Sequence, residues 1–131
     1  MSLTKQEHIE HWVYTAEKDW GAAKNLVKSK NYVQALFLSH LYLEKLCKAL
    51  WVKNNKENHP PRVHNLVHIL KEAKVKCTDE QLDFALIMNN FQMEGRYPDY
   101  TQRIYKLYKE KNTKDIVKQV KVFGKWLQEQ L

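Results

Sequence analysis

The sequence predicts an all-α fold, an up-and-down bundle of about five helices, and three observations carry that prediction. Glycine and proline number only three each in 131 residues, too few to punctuate many short strands. Apolar residues recur at three- and four-residue steps through long segments, which is helical rather than strand spacing. Two capping boxes, one at Thr4 with Glu7 and one at Thr78 with Gln81, mark helix starts independently of that periodicity. Hydrophobic residues make up 44% of the chain and charged residues 28%, so there is apolar matter for a core, and a single domain is expected over residues 1–131.

The first helix is expected from Thr4 to about Ser29, with Ile9, Trp12, Val13, Ala16, Trp20, Ala23 and Val27 on its inner face. The second, Tyr32 to about Lys53, is apolar nearly all round, the pattern of a central helix. Its polar stripe is His40, Glu44 and Lys48 at four-residue steps, where Glu44 ahead of Lys48 has the favourable order for an ion pair. Asn54 to Arg62 reads as a loop because the pair Pro60-Pro61 lacks backbone donors. A short third helix, capped by His64 or Asn65, carries Leu66, Val67, Ile69 and Leu70 to about Ala73. The fourth starts at Thr78 and presents Leu82, Ala85, Leu86 and Met88 up to about Gln92.

Gly95 to Asp99 stops regular structure, and Tyr100 to Tyr108 reads as irregular chain with a possible helical turn. The last helix is expected from near Thr113, with Ile116, Val120, Phe123 and Leu127 inward. Lys114, Lys118, Lys121 and Lys125 keep the same spacing out of phase and face water.

Lysine and arginine outnumber aspartate and glutamate by 22 to 15, a formal charge of +7, which suits phosphates or an acidic partner. Cys47 and Cys77 form no C-x-x-C pair, so reduced thiols are expected rather than a disulfide or a cysteine zinc site. The opening residues lack a basic segment followed by an apolar stretch. No run approaches the roughly 20 apolar residues that span a bilayer. A cytoplasmic protein with no membrane association is expected.

The candidate chemistry is sparse. His59, His64 and His68 invite a metal site, but the helix lacks the H-E-x-x-H glutamate and no acidic third ligand is evident, so neither metal nor cofactor is expected. No nucleophile elbow is present, and Ser39 reads as a small residue that lets a neighbouring helix approach. Three isolated glycines, at positions 21, 95 and 124, cannot build a phosphate loop. The most informative stretch outside a helix is Arg96-Tyr97-Pro98-Asp99-Tyr100. There a guanidinium can grip a phosphate and a tyrosine can stack on a base; alternatively Arg96 pairs with Asp99 or Glu44 in a structural turn.

Taken together, Tyr32, Ala35, Phe37, Ser39, Glu44-Lys45 and Lys48-Ala49, then His64-Asn65-Leu66, then Arg96-Tyr97-Pro98-Asp99 form an ordered pattern. The chain resembles the HEPN family, the higher eukaryotes and prokaryotes nucleotide-binding domains. The resemblance implies a helical bundle, usually dimeric, often encoded beside a minimal nucleotidyltransferase as a toxin–antitoxin pair. Many members are metal-independent RNases whose signature is an arginine followed after four to six residues by a histidine. Arg96 matches that arginine, but the corresponding positions hold Thr101, Gln102 and Arg103. Arg62 and His68 satisfy the bare spacing in the wrong part of the chain.

The expectation is therefore a binding module for a nucleotide or RNA phosphate. Arg96, Tyr97, Asp99, His64, Lys45, Lys48 and Glu44 are its ligand-binding candidates, with a possible nucleotidyltransferase partner. The alternative is an RNase toxin in which His64 or His68 supplies the missing base. Four tryptophans, seven tyrosines and four phenylalanines exceed what so small an interior hides, which with the resemblance suggests a homodimer.

Overall fold

The computed structural model describes residues 2–92, 103 and 105–131. Among these residues are α1 (Lys5–Lys28), α2 (Tyr32–Asn54), α3 (Leu66–Glu72), α4 (Asp79–Met88), a 3-10 turn at Asn89–Phe91 and α5 (Glu110–Glu129); residues 105–107 are helical as well, and no strand occurs among the described residues.

Both expected capping boxes close. Thr4 Oγ1 accepts from the Glu7 amide at 3.1 Å while Glu7 Oε1 accepts from the Thr4 amide, and Thr78 and Gln81 reciprocate in the same way. Helix α3 is capped by Asn65, whose Oδ1 accepts from the His68 amide at 3.2 Å. The ends of α1 and α3 share a motif. Lys30 (φ 65°) and Lys74 (φ 61°) adopt the left-handed conformation, and the next residues, Asn31 and Val75, donate back to Leu26 and Leu70. These are Schellman closures with lysine where glycine is usual.

Helix α2 is the hub, with Leu36, Leu43, Leu46 and Leu50 fully buried. Helix α1 packs antiparallel to it: Trp20 stacks on Tyr42 with ring centroids 4.9 Å apart, and Lys5 reaches the far end of α2. There the Lys5 ammonium donates to the carbonyls of Val52 and Asn55 and to Asn58 Oδ1, each at 2.8 Å. It thus closes the C-terminus of the central helix with a charge of the right sign. The loop after α2 runs back along the helix, so α3 begins beside the middle of α2, where His40 Nε2 lies 3.0 Å from the His64 carbonyl. Helix α5 lies along α2 in the same direction, from Gly124 under Tyr42 to the Gln130 carbonyl that accepts from Lys53.

Three details differ from the sequence reading. Leu86, expected inside, is 60% exposed, because α4 covers the core through Ala85 and Met88 alone among its fully buried residues. Helix α5 begins at Glu110, before Thr113, since Asn112 Oδ1 accepts from the Lys109 amide and Lys114 bridges to Glu110 at 2.8 Å. The fourth helix ends at Met88, and the 3-10 turn carries the chain on to Phe91. No helix of the described residues is long and apolar enough to cross a membrane.

Candidate functional site

The polar stripe of α2 is turned inward. His40, Glu44 and Lys48 are all buried, and a stripe of this composition is tolerable inside only if every charge is answered. Glu44 is answered three ways: Oε2 accepts from Lys48 Nζ at 3.1 Å, Oε1 lies 3.0 Å from His64 Nδ1, and His40 Nδ1 stands 3.8 Å away. Lys48 also lies over the Trp12 ring, 5.6 Å from its centroid, which joins α1 to the cluster. Burial lowers the pKa of His40, against the opposing pull of Glu44. Burial therefore disfavours the protonated imidazole of His40.

His64 is where the cluster meets the surface, its side chain 38% exposed against 5% for Glu44. It sits just before the α3 N-cap, so the Asn65 cap and the hydrogen bond to the Glu44 carboxylate together fix the imidazole. Asn89 ties the neighbouring backbone in place: its Oδ1 accepts from the Leu66 amide at 2.9 Å and its Nδ2 donates to Asn65 Oδ1 at 3.1 Å. His64, Asn65, Asn89 and Gln92 line a small cleft of about 150 Å³. A second hollow of about 240 Å³ beside it takes in Phe37, His40, Glu44 and Phe91.

Of the sequence candidates, the fold brings Glu44, Lys48 and His64 together and sends Lys45 elsewhere. Lys45 forms an ion pair with Asp19 of α1 at 2.7 Å. Lys48 serves as the counter-ion of Glu44 rather than as a free cation. Arg96, Tyr97 and Asp99 lie outside the described residues. His68 is on the exposed side of α3 and pairs with Glu72 at 3.4 Å, away from the cluster. Ser39 is fully buried and spends its hydroxyl on the Ala35 carbonyl at 2.8 Å. Sequence reasoning missed Asn89 and Gln92. The available signal was the amide pair Asn89-Asn90 at the close of an apolar helix, where side-chain amides commonly satisfy neighbouring backbone groups.

A neutral or charged imidazole held by a buried carboxylate can donate to an anion or accept a proton, and the surrounding amides supply further hydrogen bonds.

Comparison with known proteins agrees with the architecture. The chain superposes on the crystal structure of TT1696 from Thermus thermophilus with a TM-score of 0.77 at 15% identity, covering 94% of this chain and 98% of that one, which is a likeness of fold. None of the curated proteins compared with the sequence matches it. The family model for the HEPN domain matches residues 9–130, a span that contains every helix but the first turn of α1 together with the whole Glu44–His64 cluster, and the chain accordingly belongs to the HEPN domain family.

Proposed function

We propose that the protein is a phosphate-binding HEPN module whose ligand is a nucleotide or an RNA. The carrying observation is the His64 imidazole, fixed by the buried Glu44 and half-exposed beside Asn65, Asn89 and Gln92. Arg96 follows Gln92 by four residues in the chain and supplies the guanidinium of this reading, with Tyr97 and Asp99 beside it. Lys48 contributes indirectly, by neutralising Glu44 so that the carboxylate does not repel the ligand. A homodimer and a nucleotidyltransferase partner in a toxin–antitoxin-like pair complete the proposal, on the strength of the family alone.

Titration with labelled nucleotides and short RNAs at two salt concentrations tests it. Phosphate contact makes affinity fall with salt, with Arg96→Ala and with His64→Ala. Absence of binding under all conditions removes the proposal, and light scattering at the monomer mass removes the dimer.

One geometric feature favours a second reading, an RNase. The 3.0 Å contact between Glu44 and His64 is the base-and-orienter arrangement that lets an imidazole take the proton of a ribose 2′-hydroxyl. Expression should then arrest growth and fragment RNA in a manner lost with His64→Ala. Intact RNA at high expression rejects this reading.

A further inference from the structure

A second groove shares no lining residue with the His64 cleft. It lies between α4 and α5, about 500 Å³ in volume, with Phe84, Phe123 and Trp126 as its aromatic walls and Glu80 and Gln119 among its polar edges. Phe123 and Trp126 are stacked with their planes 16° apart, while Phe84 meets Phe123 edge-on.

Along one margin of this groove runs the lysine stripe of α5. At 100° per residue, Lys114, Lys118, Lys121 and Lys125 fall within an arc of about 60°, and from first to last they span about 16 Å of helix. That is the axial length of about five stacked nucleotides of one strand. All four are exposed, and only Lys114 has an ion-pair partner among the described residues, namely Glu110. Between stripe and groove stands Val122, 67% exposed, an apolar residue left bare where the two surfaces meet.

We propose that this surface is a single-stranded RNA site: a base enters the α4–α5 groove and stacks against Trp126, and the adjoining phosphates follow the lysine stripe. The proposal rests on RNA being the ligand of the His64 cleft and names a second contact surface for it. Two features favour a nucleic acid over an acidic peptide helix. The groove walls are flat rings, which match a base face better than the aliphatic knobs of a helix. The polar edges combine a carboxylate acceptor at Glu80 with an amide at Gln119, the complement of a base edge. Glu80 would repel phosphates from the groove itself and so confine the backbone to the lysine side.

The test compares the intact protein with a variant carrying Lys→Gln at 114, 118, 121 and 125, with Trp126→Phe and with His64→Ala. Fluorescence anisotropy follows a labelled single-stranded RNA of about ten nucleotides and, separately, a labelled mononucleotide. The four-lysine variant should bind the RNA at least about tenfold more weakly, with its log–log salt slope reduced by about 3, and should bind the mononucleotide normally. RNA should quench the intact protein's tryptophan fluorescence, and Trp126→Phe should remove that quenching while retaining the helical circular dichroism spectrum. If the four-lysine variant binds RNA like the intact protein while His64→Ala loses both ligands, the second surface is rejected and the His64 reading stands. If His64→Ala changes nothing while the four-lysine variant fails, the His64 reading falls instead. Inorganic polyphosphate binding as well as RNA, with fluorescence unmoved, rejects the base pocket. Displacement of RNA by a glutamate-rich helical peptide of higher affinity rejects RNA as the occupant.

Discussion

Tyr42 lies so close over Gly124 that a Cβ at the glycine would stand 2.4 Å from the tyrosine hydroxyl oxygen and ring edge. The ring has no room to retreat, because it is buried, stacked on Trp20 and tied through its hydroxyl to Gln128. Gly124→Ala should therefore destabilise the protein by about 1–3 kcal/mol despite its better helix propensity. Urea denaturation measures this, and an unchanged midpoint would show that α5 slides freely along α2.

The Glu44–Lys48 pair makes an asymmetric prediction. Glu44→Ala strands a buried ammonium and should cost about 3–5 kcal/mol, whereas replacing both residues by apolar ones of similar size should cost far less. Comparing the single and double variants by denaturation separates a stabilising bridge from one retained for placing His64. Equal losses in both would contradict this account.

His40 links stability to pH. Its folded pKa lies below the ordinary 6.5, so between the two values the unfolded chain binds the extra proton. Stability from this group is complete above 6.5 and is lost as pH falls below it. His40→Gln should flatten the slope of unfolding free energy between pH 7 and the acid side. A slope identical to that of the intact protein would show that other groups carry it.

Lys74 occupies a left-handed backbone position that costs an L-residue roughly 1–2 kcal/mol. Lys74→Gly relieves this strain and returns part of the gain through greater freedom of the unfolded chain, leaving a net stabilisation of about 0.5–1 kcal/mol. Thermal unfolding should report a higher midpoint.

The elements whose signals are local were legible in the sequence. Thr4, Thr78 and Asn65 satisfy amides three residues away, so their caps are written in short stretches of chain. The stripe of His40, Glu44 and Lys48 was legible as a spacing, but its burial was not, because the partner that lets it turn inward, His64, arrives from a separate segment. Lys45 escaped for the same reason: Asp19 meets it only once α1 packs antiparallel to α2. Leu86 has the right spacing for a core position, and nothing in α4 itself reveals that its side chain stays largely exposed. The lysine closures after α1 and α3 carried no glycine to announce them.

The parallel course of α5 along α2 also sets an order of events. The α1–α2 hairpin is closed by a turn of a few residues, whereas bonds such as Gln128 to Tyr42 join positions 86 apart and need the whole intervening chain to be gathered first. Contacts at the α2–α5 seam should then form after the rate-limiting step. The destabilisation from Gly124→Ala should appear almost wholly as faster unfolding, while a substitution such as Ala23→Gly, between α1 and α2, should slow refolding. The seam that completes the bundle would thus govern how long the native molecule lasts rather than how quickly it forms.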